Sequence, residues 1–189
     1  MKSVYYKGLI IDRQHLSANE RIVYSFLVYS AICDSEDSWD KETGDFDDIE
    51  LMERDDIHLP FAYFDDRMRF CYGNKIAKVT GVSQPSVSRA VNKLISKNLV
   101  NVYNQTVKHK GIYEYGYFTL ELESGLSGEL LIFYSWLKDI IGDNTYIFAN
   151  REKLAEMYGV AMKDVRDYLR RLKLVGKITR DENMRLIIN

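Results

Sequence analysis

Six side chains in one short stretch have the types and spacing for recognition chemistry: Gln84, Ser86, Ser88, Arg89, Asn92 and Lys93. Ser86, Ser88 and Asn92 can both donate and accept, so they can pair with the edges of bases. Arg89 can fork onto a guanine or a phosphate, and Lys93 can hold a backbone phosphate. Their neighbours must present them together. Val87, Ala90, Val91, Leu94 and Ile95 recur at intervals of three and four, which predicts a helix with an apolar face opposite the polar one. Ser83 stands where an N-cap belongs, and Pro85 falls in the first turn, where a missing N–H costs nothing. Upstream, Ile76, Ala77 and Val79 predict a shorter helix ended by Gly81, which can take a positive φ without steric cost. A short helix bracing a longer one with a hydrogen-bonding, cationic face is what entry into the DNA major groove requires. The alternative is a helical hairpin buried in an enzyme or scaffold.

Charge is divided along the chain. The whole sequence of 189 residues carries a net −2, which by itself argues against a nucleic-acid binder. Residues 34–66, however, hold 14 acidic and 2 basic side chains, and the remainder holds 24 basic and 14 acidic. Residues 67–113 include nine Lys or Arg and no Asp or Glu. The helix pair therefore lies in a locally basic zone, and the local field matters more for phosphate contact than the total. The alternative is a solvated cationic face.

The acidic residues 34–66 are interrupted by Trp39, Phe46, Ile49, Leu51 and Met52, which argues against pure disorder. A folded acidic flap with a short helix around residues 46–53 is expected, either competing with DNA for the basic surface or docking a protein partner; a solvated loop is the alternative. Before it, the apolar residues Val4, Tyr5, Tyr6, Leu9, Ile10 and Ile11 form a strand or an arm, of the kind that packs on a partner in a homodimer. Ser17 and Glu20 have the spacing of a capping box. They open a helix over residues 18–33 that would bury Ile22, Val23, Phe26, Leu27, Tyr29 and Ile32. Residues 67–72 read as a strand. Residues 99–104 and 112–122, rich in β-branched and aromatic side chains, predict a hairpin that carries Tyr103, Tyr113, Tyr115 and Tyr117. Its tip, residues 105–111, presents Lys108, His109 and Lys110 to phosphates or the minor groove.

The run VTGVSQPSVSRAVNKLISKNLV resembles the helix-turn-helix core of winged-helix DNA-binding proteins, such as MarR-type regulators and plasmid and phage replication initiators. LSANERIVYSFLV is similar to the first helix of winged-helix replication initiators and regulators. The resemblance implies a winged-helix fold and double-stranded DNA as partner.

Gly and Ser concentrate at residues 124–128 (SGLSG), the expected linker. An amphipathic helix is predicted over residues 129–141, carrying Leu130, Leu131, Phe133, Trp136, Leu137 and Ile140 and ended by Gly142. A short strand over residues 146–149 follows. Asn150 caps a further helix that stops at Gly159. A shift of 78 then aligns Ala77 with Ala155, Gly81 with Gly159, Val82 with Val160, Val87 with Val165 and Leu94 with Leu172. A second, reduced wing would run over residues 177–180 and 184–188. The copies differ: Ser86 and Arg89 of the first are Asp164 and Asp167 in the second. Arg166 and Arg170 suit backbone contact, but the Asp and Arg spacing could equally pair along the helix. The second copy is therefore an auxiliary DNA contact or a packing or dimer element.

Other chemistry lacks its residues. There is no GxxxxGK[ST], HExxH or CxxC motif and no dinucleotide-type glycine turn. The pairs Asp47-Asp48, Asp55-Asp56 and Asp65-Asp66 have no suitably spaced His and read as solvated charge. Cys33 and Cys71 form no metal or disulfide pattern and read as small core residues. No cofactor or metal is expected. No apolar run has the length of a membrane span, and the reading is cytoplasmic.

The expected fold is mostly α with small β-hairpin wings, an α+β chain of two winged helices in tandem. The first would cover residues 1–123 with the acidic insertion at 34–66, followed by the linker 124–128 and the second domain 129–189. The expected function is non-enzymatic binding of double-stranded DNA as a transcriptional regulator. A replication initiator or replisome-loading protein of a plasmid, phage or other mobile element is the alternative. A protein-interaction module on the same fold is a third.

Overall fold

The structure, a computed structural model, describes residues 3–34, 56–59, 63–64, 67, 70–109, 112, 115–142, 144, 146–147, 150–183 and 185–189, with residues 11, 12 and 34 described by backbone alone. The chain divides into two compact units, Met1–Tyr117 and Phe118–Asn189.

The first unit is built on α1 (Ala18–Asp34). Its start is a reciprocal capping box: the Ser17 N–H donates to Glu20 Oε2 at 3.2 Å, and the Glu20 N–H to Ser17 Oγ at 3.4 Å. Only one buried side is predicted, but every residue from 21 to 28 is buried. The cause lies upstream. The strand β1 (Val4–Tyr6) and a 3₁₀ helix (Lys7–Gln14) fold back onto α1. The Tyr6 N–H donates to Ser25 Oγ at 2.9 Å, and that hydroxyl donates to the Val4 carbonyl at 3.0 Å. Val4, Tyr5, Tyr6, Leu9 and Ile10 are buried. Of the two alternatives, strand or arm, the strand forms at Val4–Tyr6, and the segment is part of the unit's own core. Arg21 is 0% exposed and donates to the carbonyls of Leu16 and Leu9 and to the Tyr5 hydroxyl.

Against α1 pack α2 (Gly73–Thr80) and α3 (Gln84–Ser96). Gly81 ends α2 at φ 68°, as its lack of a side chain allows. A three-stranded antiparallel sheet of order β2-β4-β3 completes the unit, from β2 (Asp56–His58), β3 (Val100–Asn101) and β4 (Thr106–Lys108). Two corrections follow. The hairpin is tighter than predicted, because its second strand is β4 and not residues 112–122. Thr106 and Val107 are buried, and the turn lies at 102–105, where Gln105 takes φ 54°. The end of the acidic stretch also joins the sheet, with Asp56, Ile57 and His58 opposite Lys108, Val107 and Thr106. The helix expected near residues 46–53 lies outside the described residues. So do the pairs Asp47-Asp48 and Asp65-Asp66. In place of a strand over 67–72, the described residues show one antiparallel bridge, Phe64 to Phe70. Cys33 and Cys71 are exposed, not core residues.

Phe118 and Leu120, ahead of the predicted linker, are both buried. The division accordingly falls at 117/118, at the start of β5 (Tyr117–Thr119). A 3₁₀ turn (Leu122–Ser124) and Gly125 lead into α4 (Gly128–Ile141), which is buried continuously from Leu130 to Leu137 and not along one face alone. Phe133 packs its ring against Tyr158 and Tyr168 at 4.9 and 5.0 Å between centroids. The unit continues through β6 (Tyr146–Ile147), α5 (Arg151–Tyr158), α6 (Met162–Leu174), β7 (Ile178–Arg180) and β8 (Leu186–Ile188). Asn150 caps α5 by accepting the Lys153 N–H at 2.8 Å. Asp181 closes the last hairpin by accepting the N–H groups of Asn183 and Arg185.

The shift of 78 read from the sequence relates α2 to α5 and α3 to α6 residue for residue, and the first residue of β3 to that of β7. Gly81 and Gly159 take φ 68° and 70° at equivalent places. The second sheet has the order β6-β8-β7. In both units, therefore, the strand preceding the helix pair lies beside the last strand of the hairpin. Among the described residues the chain is mixed α and β, and no helix is long and apolar enough to cross a membrane.

Candidate nucleic-acid interface

Helix α3 is fixed in rotation by its apolar residues. Val87, Ala90, Val91 and Leu94 are buried, while Gln84, Ser88, Arg89, Asn92 and Lys93 are exposed and Ser86 is half-buried. Five of the six predicted side chains thus face outward as a set. Ser83 occupies the N-cap position at φ −59° and ψ 145°, and its carbonyl accepts the N–H groups of Ser86 and Val87. Its hydroxyl does not cap the helix. It donates to Ser86 Oγ at 3.0 Å, and Arg89 Nη2 donates to the same oxygen at 3.1 Å. Arg89 Nε also donates to the Pro85 carbonyl at 3.2 Å. The guanidinium is therefore held along the first turn of α3 at a defined height on the exposed face.

A groove of ≈ 630 Å³ separates this face from the start of α1. Ser17, Asn19 and Glu20 line one side, and Ser86, Arg89, Asn92 and Lys93 the other. Among the described residues, Glu20 is the carboxylate in this groove. It pairs with Lys97 Nζ at 3.4 Å, and the same ammonium donates to the His15 carbonyl. The sequence gives no hint of Lys97 in this role, because its partner is 77 residues away.

The hairpin departs from its prediction. Lys108 is exposed, in β4 and not at the tip, and it lines a second concavity of ≈ 740 Å³ with Arg67 and Asp56. His109 is 2% exposed and so is withdrawn from any phosphate. The Tyr24 hydroxyl donates to the Lys108 carbonyl at 2.8 Å, and the Ile112 N–H to the His109 carbonyl at 2.9 Å, which draws this segment inward. Lys110 lies outside the described residues. The tip itself carries Tyr103, 93% exposed.

In the second unit, Arg166 and Arg170 are exposed on α6. Asp167, the counterpart of Arg89, accepts from Arg170 at 2.9 Å and lies 3.9 Å from Arg171, so it is neutralised along the helix surface. No group of three His, Cys, Asp or Glu is placed to hold a metal ion among the described residues.

No known protein family, curated protein or solved structure matches this chain. The resemblance to winged-helix proteins therefore rests on the residues that carry it.

Proposed function

We propose that the chain is a tandem winged-helix protein that binds double-stranded DNA, with α3 as the helix that enters the major groove. One observation carries the reading: Gln84, Ser88, Arg89, Asn92 and Lys93 form an exposed face on a helix whose opposite face is locked in the core. Side chains of these types on a rigid helix are suited to base edges and phosphates. Two features support it. The order helix, strand, helix, helix, hairpin occurs in both units with one strand order. Residues 67–113 are free of acidic side chains, so the field around α3 favours a polyanion.

Transcriptional regulation is the use we favour, and replication initiation the alternative. Chromatin capture followed by sequencing separates them. Occupancy at the chain's own promoter marks a regulator, and occupancy at repeated sites in an origin marks an initiator. A reading as a protein-interaction module draws on Asp164 and Asp167 in α6 and on the acidic run before β2. Heparin chromatography tests that contrast, since retention that ends with rising salt favours nucleic acid and flow-through favours a protein partner.

A further inference from the structure

The concavity on the second unit carries an inference that rests on the DNA-binding reading and goes beyond it. It measures ≈ 300 Å³, and its rim carries Thr179 and five cations: Arg151 from α5, Arg166, Arg170 and Lys173 from α6, and Arg180 from β7. Its floor is the buried apolar set Leu169, Ile178 and Leu186. Among the described residues no carboxylate lines it. Arg170 also bonds to Asp167, whereas Arg151, Arg166 and Lys173 form no ion pair among the described residues. Three elements thus converge five cations on one depression, and three of them, Arg151, Arg166 and Lys173, lack the ion pairing that Asp167 gives Arg170 and Arg171.

The repeat sharpens the point. At the shift of 78, Arg151, Arg166, Arg170, Lys173 and Arg180 stand where the first unit has Gly73, Ser88, Asn92, Ile95 and Val102. None of those five is charged. Conversely, Arg89 of the first unit corresponds to Asp167. One scaffold therefore places neutral hydrogen-bonding groups beside Arg89 and Lys93 on α3, and in the second unit a ring of cations drawn from α5, α6 and β7. Neutral donors and acceptors discriminate bases, while cations in a shallow seat hold phosphates whatever the sequence.

We infer that the two units divide the work: α3 reads sequence, and the Arg151–Arg166–Lys173 concavity seats the duplex phosphate backbone without reading it. The test is a triple variant, R151Q/R166Q/K173Q, in the full chain. All three side chains are exposed, and unchanged circular dichroism and melting confirm the fold. The charge-preserving R151K/R166K/K173R is the companion. Binding is measured by fluorescence anisotropy against the best duplex from a selected pool and against a scrambled duplex, at 50 to 200 mM salt.

Each lost phosphate contact lowers the salt slope by about 0.9, so three lower it by about 2.7 and make the loss of affinity about 40-fold larger at 50 mM than at 200 mM. The expected result is this change in equal measure on both duplexes, with the charge-preserving variant retaining the wild-type slope. Wild-type slope in the glutamine variant overturns the inference, as does a loss confined to the selected duplex, which would make this surface a base reader. The same loss in the charge-preserving variant overturns it too, since charge would then not be the cause. Failure of the wild-type chain to bind either duplex removes the DNA-binding reading itself, and so is distinguishable from failure of this inference alone.

Discussion

Replacing Arg89 and Lys93 by glutamine strikes the proposed reading helix where its consequences are easiest to compute. The change removes two cations from an exposed face and leaves the buried Val87, Ala90, Val91 and Leu94 untouched. What stability it costs comes from the bonds of Arg89 to the Pro85 carbonyl and Ser86 Oγ, both exposed. Solvent-exposed bonds of this kind contribute about 0.5 kcal/mol each, so the loss is about 1 kcal/mol, or roughly 4 °C in Tm. Binding should suffer far more. Two lost phosphate contacts lower the salt slope by about 1.8, which makes the affinity deficit about twelvefold larger at 50 mM than at 200 mM salt. If Arg89 instead forks onto a guanine, about 1–3 kcal/mol of discrimination at one base pair disappears as well. Anisotropy titrations of a labelled duplex over a salt series, with melting curves on the same samples, separate these effects. An unchanged affinity and slope in a variant that melts within a few degrees of the parent would remove α3 from the interface.

Other consequences follow from the same geometry. Burial, reinforced by a hydrogen bond and charge interaction with Cys33, raises the Tyr29 hydroxyl from 10.0 to about 12, and burial raises Tyr6 further still. The unfolded chain then releases these protons near pH 10 while the folded one keeps them, so stability should fall as pH rises from about 10 to 12; flat denaturation midpoints across that window would contradict the assignment. Arg21→Met keeps the volume but strips the donors from the Leu16 and Leu9 carbonyls and the Tyr5 hydroxyl. It should cost about 2–4 kcal/mol and lower Tm by about 8–16 °C, and a Tm within 3 °C would show that these bonds contribute little. Neutralising the ten Asp and Glu of residues 36–55 to Asn and Gln, with β2 intact, should tighten duplex binding several-fold at 50 mM salt. The gain should vanish by 300 mM, where screening is strong; equal affinity at low salt would end the idea that this segment competes with DNA.

Local chemistry was the part of the fold that the sequence states openly. Gly81, Pro85, the Ser17–Glu20 pair and Asn150 each mark a helix end through a requirement satisfied within a few residues. Alignment at a shift of 78 needs only the apolar spacing of two helix pairs. What escaped depends on distant partners. The burial of Arg21 depends on β1 and the 3₁₀ helix, whose Tyr5 hydroxyl and Leu9 carbonyl accept from it. Asp56, Ile57 and His58 have no strand signal of their own inside an acidic run; pairing with β4 makes them a strand. The aromatic run over 112–122 outweighed Thr106 and Val107 as the expected second strand, because β propensity reports fit to a half-buried surface and not register. His109 was drawn from the surface by the tether of its neighbour Lys108 to Tyr24, a contact across 84 residues. Of the candidate interface, the α3 residues were legible because one helix carries them all. The cationic concavity of the second unit was not, because Arg151 and Arg180 reach it from other elements.

The account stands most directly on selection from a random duplex pool, followed by sequencing, at two salt concentrations. It predicts enrichment of a defined motif at both, with affinity that falls steeply as salt rises and with enrichment lost when Ser88 and Asn92 are replaced by alanine. Recovery of unenriched sequences at both salts, from a chain that melts cooperatively, would contradict it.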